Sequence, residues 1–227
     1  MKILLTCEHA GNRIPIKYKK YFNNSNKLLN SHRGYDIGAY KLFKKLSPLS
    51  DFSKHTLISR LLIDYNRSLD NKNLFSELTK NLSKEIKEEI INNYYMPYRS
   101  EVEKFIISNF SKEKILHLSI HSFTPVLNGK KRDCDIGILF NPNSNFEKTI
   151  AINFRNVLKH SYPNYKVKFN FPYKGTSDGF TTYLREKYPY NKYAGIELEV
   201  NQKLFKNKEV INKIILSVQE FMIQIKK

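Results

Sequence analysis

Apolar positions along the chain fall into short runs of two alternating periods. Residues 3–7 form a compact apolar run and read as a first strand. Residues 114–123, KILHLSIHSF, alternate with period two. Leu116, Leu118 and Ile120 share one face, and Ile115, His117, Ser119 and His121 share the other. Residues 135–140, 166–170 and 193–200 read as further strands, and the β-rich run 56–63 is expected to be another, delivering Asp64-Tyr65-Asn66-Arg67 into a loop. Between these runs the period becomes helical. A helix is expected from Gly34-Tyr35-Asp36 to Leu46, with Ile37, Tyr40, Leu42, Phe43 and Leu46 as its stripe. Residues 83–110 are helical by pattern and divided at Pro97; residues 146–158, 181–187 and 209–227 follow the same rule. Residues 17–33 are polar and Asn-rich, and predict a short helix and a surface loop. Strands alternating with helices predict an α/β fold. No internal repeat or linker interrupts the pattern, which predicts one domain over residues 1–227.

Composition adds little to this picture, and charge adds more. The chain is 41% hydrophobic and 26% charged, as a globular protein requires. It has no apolar run of membrane length, and its first strand meets Glu8 and His9 at once, unlike a signal peptide. Cys7 and Cys134 make no disulfide framework or zinc cluster of their own, so a cytoplasmic, reducing home is expected. The net charge of +18 raises a nucleic-acid reading. The lysines are scattered, however, and no zinc-finger, RNA-recognition or heptad pattern accompanies them. Nucleic acid is therefore a rival partner and not the leading one. Nothing in the pattern specifies an oligomeric state.

Candidate chemistry gathers where strands end, the usual place for a site in an open α/β sheet. His9 follows the first strand and His121 lies near the end of the 114–123 strand; each is a metal ligand or a satisfied core or loop histidine. Asp36 is either a helix cap or a ligand. Arg67 beside Asn66 suits the grip of a carboxylate, because a guanidinium forks onto both oxygens; the alternative is a structural ion pair with Asp64 or Asp70. Glu197 and Glu199 share one face of a core strand, which is costly unless something pairs with them. Residues 175–179, GTSDG, match the G-x-S-x-G nucleophile pattern literally. Pro172 breaks the approach and no His follows, so they read as a lid or a substrate wall. Cys7 near His9 has no downstream pattern to support a nucleophile.

Taken in order, CEHAGNRIP, GYDIGAY, SRLLIDYNRSL, HSFTPVLNG and GIELEVNQ resemble the blocks of the N-formylglutamate amidohydrolase family, relatives of the zinc carboxypeptidases. The resemblance implies a three-layer α/β/α fold with a mixed central sheet, like zinc exopeptidases. It implies one zinc ion held by His9, Asp36 and His121, with Asn12, Glu8 and His117 as substitute ligands. It also implies Glu199 as the catalytic acid–base and Arg67 with Asn66, helped by Arg132, as the grip on substrate; Glu197, deeper along the same strand and the other candidate for catalysis, is expected to orient a neighbour such as a ligand His. Two His and one carboxylate leave zinc an open position for hydrolysis. The expected activity is hydrolysis of the amide bond of a small, acidic N-acyl amino acid or peptide-like substrate. A non-catalytic binding protein on the same scaffold is the other rival reading.

Overall fold

A computed structural model describes all residues, 1–227. Its strands are β1 (Lys2–Cys7), β2 (Phe52–His55), β3 (Ile115–Phe123), β4 (Val126–Leu127), β5 (Lys130–Lys131), β6 (Ile136–Leu139), β7 (Val167–Phe169) and β8 (Tyr193–Asn201). Its α-helices are α1 (Asn26–Leu29), α2 (Ala39–Leu46), α3 (Lys84–Ile90), α4 (Met96–Phe110), α5 (Asn145–Ser161), α6 (Phe180–Lys187) and α7 (Lys208–Lys226). One sheet has the order β2-β1-β3-β8-β6-β7, and β4 and β5 make a separate hairpin. Strands β2, β1, β3 and β8 run parallel; β6 is antiparallel to β8 and pairs in parallel with β7. The sheet is mixed and flanked by helices on both faces, as the family resemblance implied. No helix is long and apolar enough to cross a membrane.

Both central strands, β3 and β8, are buried along their whole length. Their two faces differ. Ile3 and Leu5 of β1, Leu116, Leu118 and Ile120 of β3, and Ile196 and Leu198 of β8 enter a large apolar core completed by α2, α5 and α7. On the opposite face Leu4, Ile115 and Tyr193 pack with Val102 and Ile106 of α4 and with Phe180 and Leu184 of α6. That face then turns polar toward the carboxyl ends of the strands, with Thr6, His117, Ser119, His121, Glu197 and Glu199 all buried. His117 is the first of these and is fully satisfied. Its Nε2 lies 2.7 Å from the Thr6 hydroxyl and its Nδ1 2.6 Å from that of Tyr193. Burial pushes its pKa down to about 4, so it is a neutral core histidine.

Two expected elements take another form. Residues 56–63 are not a strand. The strand is β2, just upstream, and only Ile58 bridges to Arg13. Leu61, Leu62 and Ile63 are instead loop residues buried in the second core, and the Thr79 hydroxyl satisfies the carbonyls of Leu61 and Leu62. Their apolar character reflects burial and not pairing. The helix expected from residue 34 starts at Ala39. Gly38 precedes it at φ 90°, a left-handed conformation that suits glycine and ends the helix on that side. Asp36 therefore lies in the preceding loop, and its side chain makes no capping bond to the helix. Around Pro97 the chain runs from α3 through a wider π-type turn, Ile91–Tyr95, into α4, where Pro97 occupies the first turn. The Asn128-Gly129 pair turns the β4–β5 hairpin with positive φ at both residues.

The close approach of β6 to β8 depends on Gly137, which faces Glu199 in the register. A Cβ at that position would lie 2.0 Å from the Phe171 carbonyl oxygen and 3.2 Å from the Glu199 Cβ. Gly137→Ala is expected to lower stability by about 1–3 kcal/mol. The readout is the urea midpoint at constant slope, and an unchanged midpoint would show that the loop at Phe171 yields freely.

Candidate active site

Three segments meet at the polar end of the sheet. His9 follows β1, Asp36 lies in the loop before α2, and His121 stands near the end of β3. The Asp36 backbone N–H donates to the His9 carbonyl at 3.0 Å, which ties the first two segments together. Asp36 Oδ2 lies 2.8 Å from His121 Nδ1 and 3.5 Å from His9 Nδ1, and it accepts from the Ser122 N–H at 3.3 Å. One ligand-type atom from each of His9, Asp36 and His121 falls within 4.8 Å of the others.

Each imidazole is oriented through its far nitrogen. His9 Nε2 lies 2.7 Å from Asp64 Oδ1. His121 Nε2 lies 2.9 Å from the Ser119 hydroxyl and 3.3 Å from Glu8 Oε2. Glu8 is held in turn by the Ser119 hydroxyl at 2.6 Å and the Tyr98 hydroxyl at 3.2 Å. Carboxylate–histidine pairs of this kind fix the tautomer and ring angle of metal-binding imidazoles. Arg60 ties both loops from the open side, donating to Asp36 Oδ1 at 3.2 Å and Asp64 Oδ2 at 3.3 Å.

Burial by itself would neutralise these acids, and their partners prevent it. Burial raises the pKa of Glu8, but the hydrogen bond and charge of His121 outweigh it and hold the carboxyl well below the usual range. Asp36 is likewise held low against burial by His9 and His121. Burial lowers the pKa of His121, yet Asp36 and Glu8 on its two sides keep it well above the ordinary histidine value. Glu199 goes the other way. Burial, joined by the nearby carboxylates of Asp36 and Glu197, exceeds the pull of His121 and pushes it up to about 8.

Two buried polar atoms at this site make no hydrogen bond: His9 Nδ1, which has Asp36 Oδ2 at 3.5 Å, and Glu199 Oε2. Both residues line one cavity of about 210 Å³, along with Asp36, His121, Asn66 and Arg67. An unpartnered imidazole nitrogen beside a carboxylate and a second imidazole is a donor set that fits a divalent cation such as zinc. Asn12 has no place in it, since its amide donates to Leu29 and Asn30.

The remaining candidates surround this centre. Arg67 makes no ion pair with Asp64 or Asp70. Its Nη1 donates to the carbonyls of Asn66 at 2.7 Å and Asp178 at 2.9 Å. Asn66 Oδ1 accepts from the Phe180 N–H at 2.6 Å, fixing the loop to the start of α6. Glu197 accepts from the Thr181 hydroxyl at 2.6 Å and does not orient a histidine; Glu8 and Asp64 do that. Arg132 does not line the cavity, but it donates to the hydroxyl of Tyr173, which does. Ser177 and Asp178 of the GTSDG loop form part of the wall. Cys7 points into the apolar core, where burial drives its thiol pKa well above normal. The roles of Glu8, Asp64 and Arg60 were not foreseen from the sequence. The available signals were the alternation of β1, which puts Glu8 on the polar face with Thr6, and the four-residue spacing of Arg60 and Asp64.

Comparison with known proteins gives this geometry a family. The sequence profile of the N-formylglutamate amidohydrolase family matches residues 1–206. A crystal structure of a gene product from Agrobacterium tumefaciens superposes with a TM-score of 0.80 at 26% identity, covering 98% of this chain and 89% of the other. The crystal structure of N-formylglutamate amidohydrolase from Ralstonia eutropha superposes with a TM-score of 0.75 at 15% identity, covering 99% and 92%, which establishes a shared fold. No curated protein matches the chain in sequence. The match over most of the chain, together with the fold, means that this chain belongs to the N-formylglutamate amidohydrolase family.

Proposed function

We propose that this protein is a zinc-dependent amidohydrolase acting on a small N-acyl amino acid with a free carboxylate. The observation that carries the proposal is the pair of unpartnered buried atoms, His9 Nδ1 and Glu199 Oε2, in one cavity with the Asp36 carboxylate. His9, Asp36 and His121 would hold the metal, with Asp64 and Glu8 orienting the two imidazoles from behind. When bound, zinc supplies Lewis acidity for the amide carbonyl and for water.

The chain's own residues supply the rest. Glu199 is the general base. Its unpartnered Oε2 takes a proton from water and delivers it to the leaving nitrogen. Its raised pKa, about 8, suits a group that must both accept and return a proton, and added positive charge in the cluster draws that value toward neutrality. Arg67 orients the substrate carboxylate. Two main-chain carbonyls brace its guanidinium on one nitrogen, and no protein carboxylate competes for it. Asn66 supports it by anchoring the loop to α6. Arg132 acts at a distance, by placing Tyr173 on the cavity wall. Glu197 keeps α6 in register with β8 through Thr181.

Release of the free amino acid from a panel of N-acyl amino acids, with zinc content measured in parallel, tests the proposal. Glu199→Gln should lower turnover by about 10²–10⁴-fold while metal content and fold are retained. A near-normal rate would remove Glu199 from catalysis. Arg67→Lys should reduce kcat/KM on substrates with a free carboxylate by about 10- to 100-fold, because the fork is lost, and change little on the matching amides. Equal losses on both substrate types would mark Arg67 as structural. Asp64→Asn should weaken zinc affinity by about 10- to 100-fold, read by competition with a chelating dye. Unchanged affinity would mean that His9 is oriented by other means.

A further inference from the structure

A second, larger concavity opens beside the cavity just described. It has a volume of about 580 Å³, and Asp36, Arg60, Ser122 and Tyr173 line both spaces. The two therefore meet at the His9–Asp36–His121 cluster. Arg67 lines the smaller space and not the larger one. A substrate held by its carboxylate at Arg67, with its amide at the cluster, directs its acyl group away from Arg67. That direction leads across Asp36 and Arg60 into the groove. A formyl group would leave the groove empty, although its volume falls in the range of about 300–1,000 Å³ that suits drug-sized ligands.

The lining of the groove tells which acyl group fits. Leu61 and Phe123 are buried beneath it and Phe75 and Leu127 are partly buried, which gives an otherwise polar groove, lined also by Asn73, Ser76 and Gln202, an apolar strip. The rim carries the exposed side chains of Lys72 and Lys80. The carboxylates of the groove are already engaged: Asp36 and Asp64 by Arg60, and Glu77 by Arg33 at 2.6 Å. The two lysines are thus left without an acid among the lining residues. An apolar strip under an uncompensated cationic rim matches a ligand with a methylene stem and an anionic tip.

We propose that this groove is an acyl-side subsite, and that the preferred substrate carries an extended acyl chain ending in a carboxylate in place of a formyl group. The inference rests on the amidohydrolase reading above for the direction of the substrate. The test compares N-formyl-, N-hexanoyl- and N-adipoyl-L-glutamate with the zinc-loaded protein. The expected order of kcat/KM is adipoyl, then hexanoyl, then formyl. Replacing both lysines (Lys72→Ala with Lys80→Ala) should lower the adipoyl value by about 3- to 10-fold, the scale of exposed charge pairs, and leave the other two unchanged. Formyl as the best substrate, or an adipoyl value that the double variant does not move, overturns the proposal. Calorimetric titration with adipic acid monoamide reads the groove without turnover. Binding that weakens in the double variant supports the subsite even if none of the three substrates is cleaved, a result that would instead defeat the amidohydrolase reading. Absent binding, or equal affinity in both proteins, overturns the subsite.

Discussion

One buried carboxylate, that of Asp36, holds the functional end of this molecule together. It draws His121 from the central strand, His9 from the loop after β1, the Ser122 N–H from the strand end and Arg60 from the loop beyond β2. A buried carboxylate is tolerated only when charge and hydrogen bonds replace its water. Each partner of Asp36 is itself held by another group: His121 by Glu8 and Ser119, His9 and Arg60 by Asp64. Acids and bases alternate through the cluster, while Glu197 and Glu199 beside it have no cationic partner.

The sheet makes this arrangement possible because its two faces do different work. The face toward α2, α5 and α7 is apolar up to Ser122 near the end of β3 and anchors the strands. That frees the opposite face to change character along each strand, from Leu4, Ile115 and Tyr193 to Thr6, His121 and Glu199. Pairing of β3 with β8 then sets His121 opposite Glu199 and Ser119 opposite Glu197 without any flexible loop. Sites built on strands are held more precisely than sites built on loops. Of the His9, Asp36 and His121 cluster, His9 and Asp36 come from loops, and the backbone bond between them removes much of that freedom.

This division explains what the sequence made legible. Period-two alternation revealed β3 and the shared face of Glu197 and Glu199, because strand geometry fixes faces locally. It also put His121 at the end of a buried strand. The residues 56–63 were misread because an apolar run has the same composition whether its backbone pairs in a sheet or is satisfied by side chains, and here Thr79 does the latter. Asp36 resembled a helix cap because the helical stripe seemed to begin two residues earlier than Gly38 allows. Asp64 was seen only as a partner for Arg67, four positions from the Arg60 it meets. Contacts such as Asp64 with His9 join residues 55 positions apart. Local pattern carries no information at that range; only the family resemblance hinted that these blocks converge.

Charge gives the last constraint on how such a site works. The protein as a whole carries +18, and this field favours the approach of anionic ligands from any side. Around the cavity the balance reverses. Asp36, Asp178, Glu197 and Glu199 line it against Arg60, Arg67 and Lys174, and Glu8 and Asp64 stand directly behind the histidines. A substrate carboxylate attracted by the surface would meet a locally acidic wall, where repulsion is screened less than at the surface. Arg60 offers little relief, since both of its ends are committed to Asp36 and Asp64. Arg67 and Lys174 are the cavity cations that no protein carboxylate engages, and a divalent ion at the histidines would offset the acids further. On the proposed reading the acidity of the cavity and the basicity of the surface are complementary: the first would retain a cation, and the second would draw in the anion that the loaded site accepts.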